Sequence, residues 1–238
     1  VAVTGVQTCA LPICGLSDAM TSDLAVITAF TVATALAATA VMLVPGIGLA
    51  WLLARRVFPG KALVEAVAAL PLVMPPVATG FALLWLFGTG SPLGRWLGAV
   101  GIDVVFTPMA VVLAMAVMGF PLLVRTARAG FEQSTVRYEQ IAETLGASPW
   151  RIFTTVTLPL ASRPILAGAL LGFSRALGEF GATIVVAGSI PGRTQTLAVW
   201  MYSLLEQGHD GAALRVAGVS AAIALTGVWL SNRLVREV

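Results

Sequence analysis

The chain has 238 residues, 58% of them hydrophobic and 11% charged, with a formal net charge of +3. A soluble domain carries about 25% charged residues, so this composition excludes an ordinary water-facing fold. The basic residues stand at the ends of apolar runs rather than in a patch, which excludes a nucleic-acid surface.

The apolar runs are about 20 residues or longer and do not alternate, which predicts membrane helices rather than the roughly ten-residue alternating segments of a β-barrel. In lipid every backbone N–H and C=O must pair within the chain, and long uniform runs satisfy this as helices. The fold class expected is therefore an all-α integral membrane protein.

Residues 1–20 fit poorly with the long apolar runs of the remaining chain. They are short and broken, lack the basic start of a signal peptide, and contain GVQTCALPI, a stretch that resembles a sequence-assembly contaminant. They are expected to be an artefact, with the true start near Met20 or outside the sequence, and the transmembrane domain is expected over residues 21–238. Cys9 and Cys14 lie in this segment and read as incidental thiols, not a metal or disulfide framework.

Five spans are predicted. The first covers residues 24–54, with a kink expected at Pro45 and Gly46. The second covers 62–87 and holds Pro71, Pro75 and Pro76, so it cannot be a regular helix throughout. Gly/Ser/Pro-rich residues after it read as a loop, and the third span covers 106–124. The longest polar interruption, 129–160, precedes the fourth span at 165–187. Residues 188–211 form a mixed loop whose centre, 196–205, reads as a short interfacial helix carrying Trp200 and Tyr202. The fifth span covers 212–230.

Five spans place Arg55, Arg56, Lys61, Arg125, Arg128, Arg137, Arg151, Arg163, Arg233 and Arg236 on one side, against Arg95, Arg193 and Arg215 on the other. The positive-inside rule makes the first side cytoplasmic, with the N-terminus outside and the C-terminus inside.

The most informative stretch is YEQIAETLGASPWRIFTTVTLP, from Tyr138 to Pro159. Ile141 and Leu145 are four apart on one helix face. Gly146 is a helix stop, and Ser148 with Pro149 suits an N-cap and first turn. The stretch reads as helix, sharp turn, helix. Two readings stay open on these grounds: a docking element for a partner, or a solvated connecting loop.

This stretch resembles the "EAA" loop of permease subunits of bacterial ABC importers, whose signature runs Glu-Ala-Ala, three residues, Gly, nine residues, Ile-x-Leu-Pro. Here Gly146 is followed by nine residues and then Val156-Thr157-Leu158-Pro159. Gln140-Ile141-Ala142 stands in place of Glu-Ala-Ala, with Glu139 one position earlier.

The resemblance runs from about residue 22 to the end. It is most similar to molybdate permease subunits through Phe58-Pro59-Gly60-Lys61, Leu70-Pro71-Leu72-Val73-Met74-Pro75-Pro76, Phe120-Pro121-Leu122, Ser174-Arg175-Ala176-Leu177-Gly178-Glu179-Phe180-Gly181-Ala182-Thr183 and Ile190-Pro191-Gly192-Arg193-Thr194. Sulfate and thiosulfate permeases share several of these segments, and tungstate is a further alternative cargo.

The resemblance implies the type I ABC importer permease fold in a bacterial inner membrane. It implies a homodimer with a second permease copy, two cytoplasmic ATPase subunits and an external, periplasmic substrate-binding protein. Glu139, Ala142, Gly146, Ala147, Leu158 and Pro159 would form the ATPase-coupling loop. It implies no catalytic residue, cofactor or metal, and the sequence contains no Gly-rich Lys-Ser/Thr phosphate loop of its own.

Arg175 and Glu179 are four apart, on one face of the fourth span. Ionisable residues inside a membrane invite a functional reading, but a structural ion pair is the expectation, because a net-neutral pair is a poor anion trap. Gly168 and Gly172 predict close helix packing, either within the subunit or at a dimer seam. His209, the only histidine, falls in an external loop.

Two other classes make different demands. A secondary transporter would favour inverted repeats and mid-membrane coupling carboxylates; no repeat is evident, and Glu179 is the only deep carboxylate. An intramembrane enzyme would need nucleophile–base pairs or metal ligands within the spans.

Overall fold

The computed structural model describes the backbone of residues 13–133 and 136–236 and the side chains of residues 23–133 and 137–233. The expectations placed on residues 1–12 and on Cys9 and the Cys14 side chain lie outside the described residues. Every regular element among the described residues is helical.

Helix α1 (Ile13–Arg55) is followed by α2 (Lys61–Val73), α3 (Pro76–Phe87), α4 (Pro92–Ala99) and α5 (Pro108–Gln133). Then come α6 (Val136–Thr144), α7 (Pro149–Ile152), a π-turn (Phe153–Thr157), α8 (Leu158–Leu160), α9 (Ser162–Leu177), α10 (Gly181–Val186), α11 (Leu197–Glu206) and α12 (Asp210–Arg236). Three helices are long and apolar enough to cross a membrane, and five spans result if each of two bent pairs counts as one.

Helix α5 is the centre. It packs against α1, α2, α9 and α10, and its Ala114, Met115 and Leu123 are fully buried. By contrast α3 and α12 expose Phe81, Trp85, Leu225 and Trp229, an apolar exterior suited to lipid. Small residues let the backbones close. A Cβ on Gly119 of α5 would stand 2.9 Å from the Gly172 carbonyl oxygen of α9, and one on Gly168 would stand 3.2 Å from the Leu123 carbonyl oxygen. The Gly168/Gly172 seam therefore lies within the chain, between α9 and α5. Helix α1 runs uninterrupted through Pro45, and a Cβ on Gly46 would meet Leu123 Cδ2 at 2.6 Å.

The second span is broken outright. Met74 adopts an extended conformation before Pro75, as a residue preceding proline prefers, and α2 and α3 meet at 113°. The fourth span differs from its predicted extent. Its first helix begins at Pro149, turns by 66° at Ala161, and ends at Leu177. A separate helix, α10, restarts at Gly181.

The two breaks abut: a Cβ on Gly181 would lie 2.8 Å from Pro76 Cβ, and one on Gly80 would lie 2.7 Å from Ala182 Cα. So α3 and α10 run side by side from a shared level of interruption.

The loop predicted after the second span contains helix α4. Ser91 caps it, accepting the Gly94 N–H at 2.8 Å, and Pro92 opens it. This is a local start signal that the Gly-rich surroundings obscure.

Helix α11 forms where the interfacial helix is expected, but it is docked. Its Leu197 and Val199 are buried, and the Leu197 N–H donates to Thr31 Oγ1 of α1 at 2.9 Å. Helix α12 returns antiparallel to α9. Ser231 Oγ donates to the Ala167 carbonyl at 2.9 Å and Ser174 Oγ to the Ala224 carbonyl at 3.2 Å.

Candidate functional site

Two polar constructions stand out on this apolar frame. The first is a helical knob on the basic side. Helix α6 ends in a Schellman motif, in which a left-handed residue lets two amides reach back to the last carbonyls. Gly146 supplies the left-handed conformation, with φ of 81°. Its N–H donates to the Glu143 carbonyl at 2.9 Å, and the Ala147 N–H donates to the Ala142 carbonyl at 3.1 Å. Ala142, Gly146 and Ala147 are thus the parts of one turn. Ser148 then caps α7, accepting the Arg151 N–H at 3.4 Å, with Pro149 as first helical residue.

The knob exposes large apolar side chains among its polar ones. Tyr138, Ile141, Leu145 and Trp150 are all exposed, Leu145 by 81% and Trp150 by 74%. Exposed large apolar side chains gathered on one short element are a feature of interaction surfaces.

The knob is tied from behind by Glu139, in the first turn of α6. Glu139 Oε1 accepts from Arg55 Nη2 at 2.7 Å and from Thr157 Oγ1 at 2.8 Å. The pair is mostly shielded, with side chains 13% and 20% exposed. Hydrogen bonds to charged groups contribute about 1.5–3 kcal/mol, so Glu139 fixes α6 both to the end of α1 and to the π-turn. These partners are not legible in the sequence: Arg55 and Thr157 lie 84 and 18 residues away. A cleft of about 550 Å³ opens at the junction, lined by Trp51, Arg55, Glu139, Glu143 and Phe153.

The π-turn has local causes. Pro159 offers no N–H, and the Thr154 and Thr155 hydroxyls donate back to the carbonyls of Trp150 and Arg151; such back-bonding bends helices. Leu158 packs on the buried cluster around Leu53 and Phe131, while Pro159 is exposed. So the predicted loop residues divide between the turn, the anchor and the bend rather than forming one patch.

The second construction is at the paired span breaks. Arg175 Nη1 donates to Glu179 Oε2 at 2.7 Å, and Glu179 Oε1 accepts the Ala182 N–H at 2.8 Å. Glu179 is 1% exposed and Arg175 28%. The carboxylate therefore serves both the ion pair and the first turn of α10. Sequence reasoning misses this capping role, because the span reads as continuous through 178–180. Among the described residues, no group of three His, Cys, Asp or Glu side chains is placed to hold a metal.

A helical bundle with broken spans and a docking knob at one end is the form of a membrane subunit of a transport complex. The family described as binding-protein-dependent transport system inner membrane component matches residues 46–238, and the chain belongs to it. It is 46% identical over 193 residues to the molybdenum transport system permease protein ModB of Escherichia coli (strain K12), covering 80% of this chain and 84% of that one. The ModB protein of Haemophilus influenzae is 43% identical over 195 residues, covering 79% and 85%. The sulfate transport system permease protein CysT of Escherichia coli (strain K12) is 37% identical over 189 residues, covering 79% and 68%.

Among solved structures, the fold matches a chain of a bacterial alginate ABC transporter in complex with alginate pentasaccharide-bound periplasmic protein. The TM-score is 0.66 at 16% identity, over 89% of this chain and 78% of that one. A chain of an amino acid ABC transporter with histidines matches at a TM-score of 0.64 and 16% identity, over 96% and 99%. The chain thus has the fold of an ABC importer permease.

Proposed function

We propose that this chain is the membrane-spanning subunit of an ATP-driven importer of a tetrahedral oxyanion, with molybdate as its cargo. The observation that carries the reading is the knob: exposed apolar side chains at Tyr138, Ile141, Leu145 and Trp150, on an element held to the spans by Glu139. A cytoplasmic ATPase with an apolar groove is its partner. Two copies of the chain enclose the path, two ATPase subunits seat the two knobs, and an external binding protein delivers the anion. ATP-driven closure of the ATPases draws the knobs together, and the spans rock between inward- and outward-facing states. The chain itself supplies no catalytic group and holds no cofactor.

Orientation in the membrane comes from the same elements. Arg55 and Arg56 line the cleft behind the knob and Arg151 lies on it, which supports a cytoplasmic position for this side. The antiparallel pairing of α12 with α9 supports a cytoplasmic end for α12, and the contact of Arg55 with Glu139 supports an external position for the opposite end of α1. Molybdate is favoured over sulfate by the higher identity to the molybdenum permeases.

The test is uptake into vesicles holding the chain with its ATPase, supplied with loaded binding protein. ATP-dependent accumulation of radiolabelled molybdate, exceeding that of sulfate, is the expected result. Preference for sulfate would move the cargo to the second reading. Uptake by the chain without any ATPase would overturn the importer.

A further inference from the structure

The Arg175–Glu179 pair is lopsided. Glu179 is 1% exposed and both its oxygens are engaged, Oε2 by Arg175 Nη1 and Oε1 by the Ala182 N–H. The Arg175 side chain remains 28% exposed, and among the described residues no partner takes its Nε or Nη2 donors. Seen from its open side the pair is not neutral. The carboxylate is spent on Arg175 Nη1 and on the first turn of α10, and the Nε/Nη2 edge is the part of the guanidinium left without a partner among the described residues.

Depth makes this unusual. Arg175 lies 13 residues beyond Ser162, the first residue of α9 (175 − 162). At ~1.5 Å per residue this is about 20 Å along the helix, and α10 continues beyond it from Gly181 to Val186, so with the bent pair counted as one span Arg175 falls inside a hydrocarbon layer ~30 Å thick. Intramembrane arginines face protein or a water-filled cavity rather than acyl chains. A partly exposed arginine at this level therefore faces either a second copy of the chain or an aqueous space, and in the importer reading the path between the copies supplies the latter. The neighbours on the same face leave its donors open: Leu171 is half-buried and Gly178, exposed, has no side chain.

We infer that Arg175 is an anion-contacting residue of the translocation path, taking two oxygens of a tetrahedral oxyanion on its Nε/Nη2 edge, with Glu179 as the positioning residue behind it. The inference rests on the importer reading above. The parallel donors of that edge match the spacing of two oxygens on one centre. The carboxylate behind weakens the net attraction, which suits transit, because a conducting site must bind well enough to admit the ion and weakly enough to release it. An unpaired arginine would hold a dianion, and a neutral side chain would not attract it.

The experiment uses the whole complex in vesicles and compares wild type with the double variant Arg175→Gln/Glu179→Gln and the single variant Arg175→Lys. The Glu179→Gln change keeps an oxygen for the Ala182 N–H while both charges go. Molybdate uptake by the double variant is expected to fall about tenfold or more, while ATP hydrolysis stimulated by loaded binding protein continues, so ATP consumed per anion rises. Arg175→Lys keeps the charge but not the two-donor edge, and its uptake is expected between the two. Wild-type uptake by the double variant overturns the assignment. If the double variant does not assemble, Arg175→Lys decides: reduced uptake supports the edge, wild-type uptake overturns it. If the wild-type complex imports neither molybdate nor sulfate, the importer reading itself falls; if it imports and the double variant equals it, only the role of Arg175 falls.

Discussion

Arg55, the last residue of α1, donates to Glu139 in the first turn of α6 at 2.7 Å, across 84 residues of sequence. The same carboxylate oxygen accepts from Thr157. One side chain thus joins the end of α1 both to α6 and to the π-turn.

Replacing Glu139 by Ala should leave the chain in the membrane but loosen this joint. Losing charge-assisted bonds of about 1.5–3 kcal/mol should raise the ATP hydrolysed per anion imported, and the exchange Arg55→Glu with Glu139→Arg should recover part of the coupling. An unchanged ATP-to-anion ratio for Glu139→Ala would show that the joint transmits nothing.

Gly146→Val should uncouple ATP hydrolysis from transport. Its φ of 81° is open to glycine, whereas a β-branched residue resists it at a cost of about 1–2 kcal/mol. Gly146→Asn, which tolerates the left-handed region, should retain most activity. Reconstituted vesicles report both, and wild-type coupling in the valine variant would count against the turn's role.

Glu179→Ala should lower the yield of assembled complex more than it alters anion preference. The change strips the Ala182 N–H of its acceptor and leaves Arg175 without its partner; breaking a buried pair costs about 3–5 kcal/mol, an upper figure here because Arg175 is partly exposed. Size-exclusion of the solubilised complex measures it. Full yield with shifted anion preference would overturn the prediction.

Gly80→Leu should separate α3 from α10. A Cβ there would meet Ala182 Cα and O at 2.7 Å, and these are backbone atoms that cannot swing aside. Overpacking of this kind costs about 1–3 kcal/mol. The melting temperature of the purified complex should fall, and Gly98→Leu, which meets nothing within 4 Å, should not lower it.

The sequence reveals what depends on neighbours in the chain. Hydropathy locates the helices, and Gly146 with Ser148-Pro149 announces the turn and the restart of α7, since capping uses residues a few positions apart. The proline cluster at Pro71, Pro75 and Pro76 announces an interruption but not its 113° angle, which depends on packing against α10. The break at 178–180 is hidden because α10 begins with apolar residues in helical spacing, and the carboxylate that starts it looks like half of an ion pair. Glu139 is legible, but its partners are not, because they are brought to it only by the packing of α1 and α5.

The π-turn at Phe153–Thr157 has a consequence for orientation. A wide turn accommodates one residue more than an α-helix would over the same rise, and each residue advances a helix face by about 100°. Trp150 is therefore turned by about one residue's step from where an unbroken α-helix would put it at the start of the segment that bends by 66° into α9. Because Thr157, the last residue of this turn, shares the Glu139 carboxylate with Arg55, any rewinding of the turn would have to break or carry with it the bond to the end of α1.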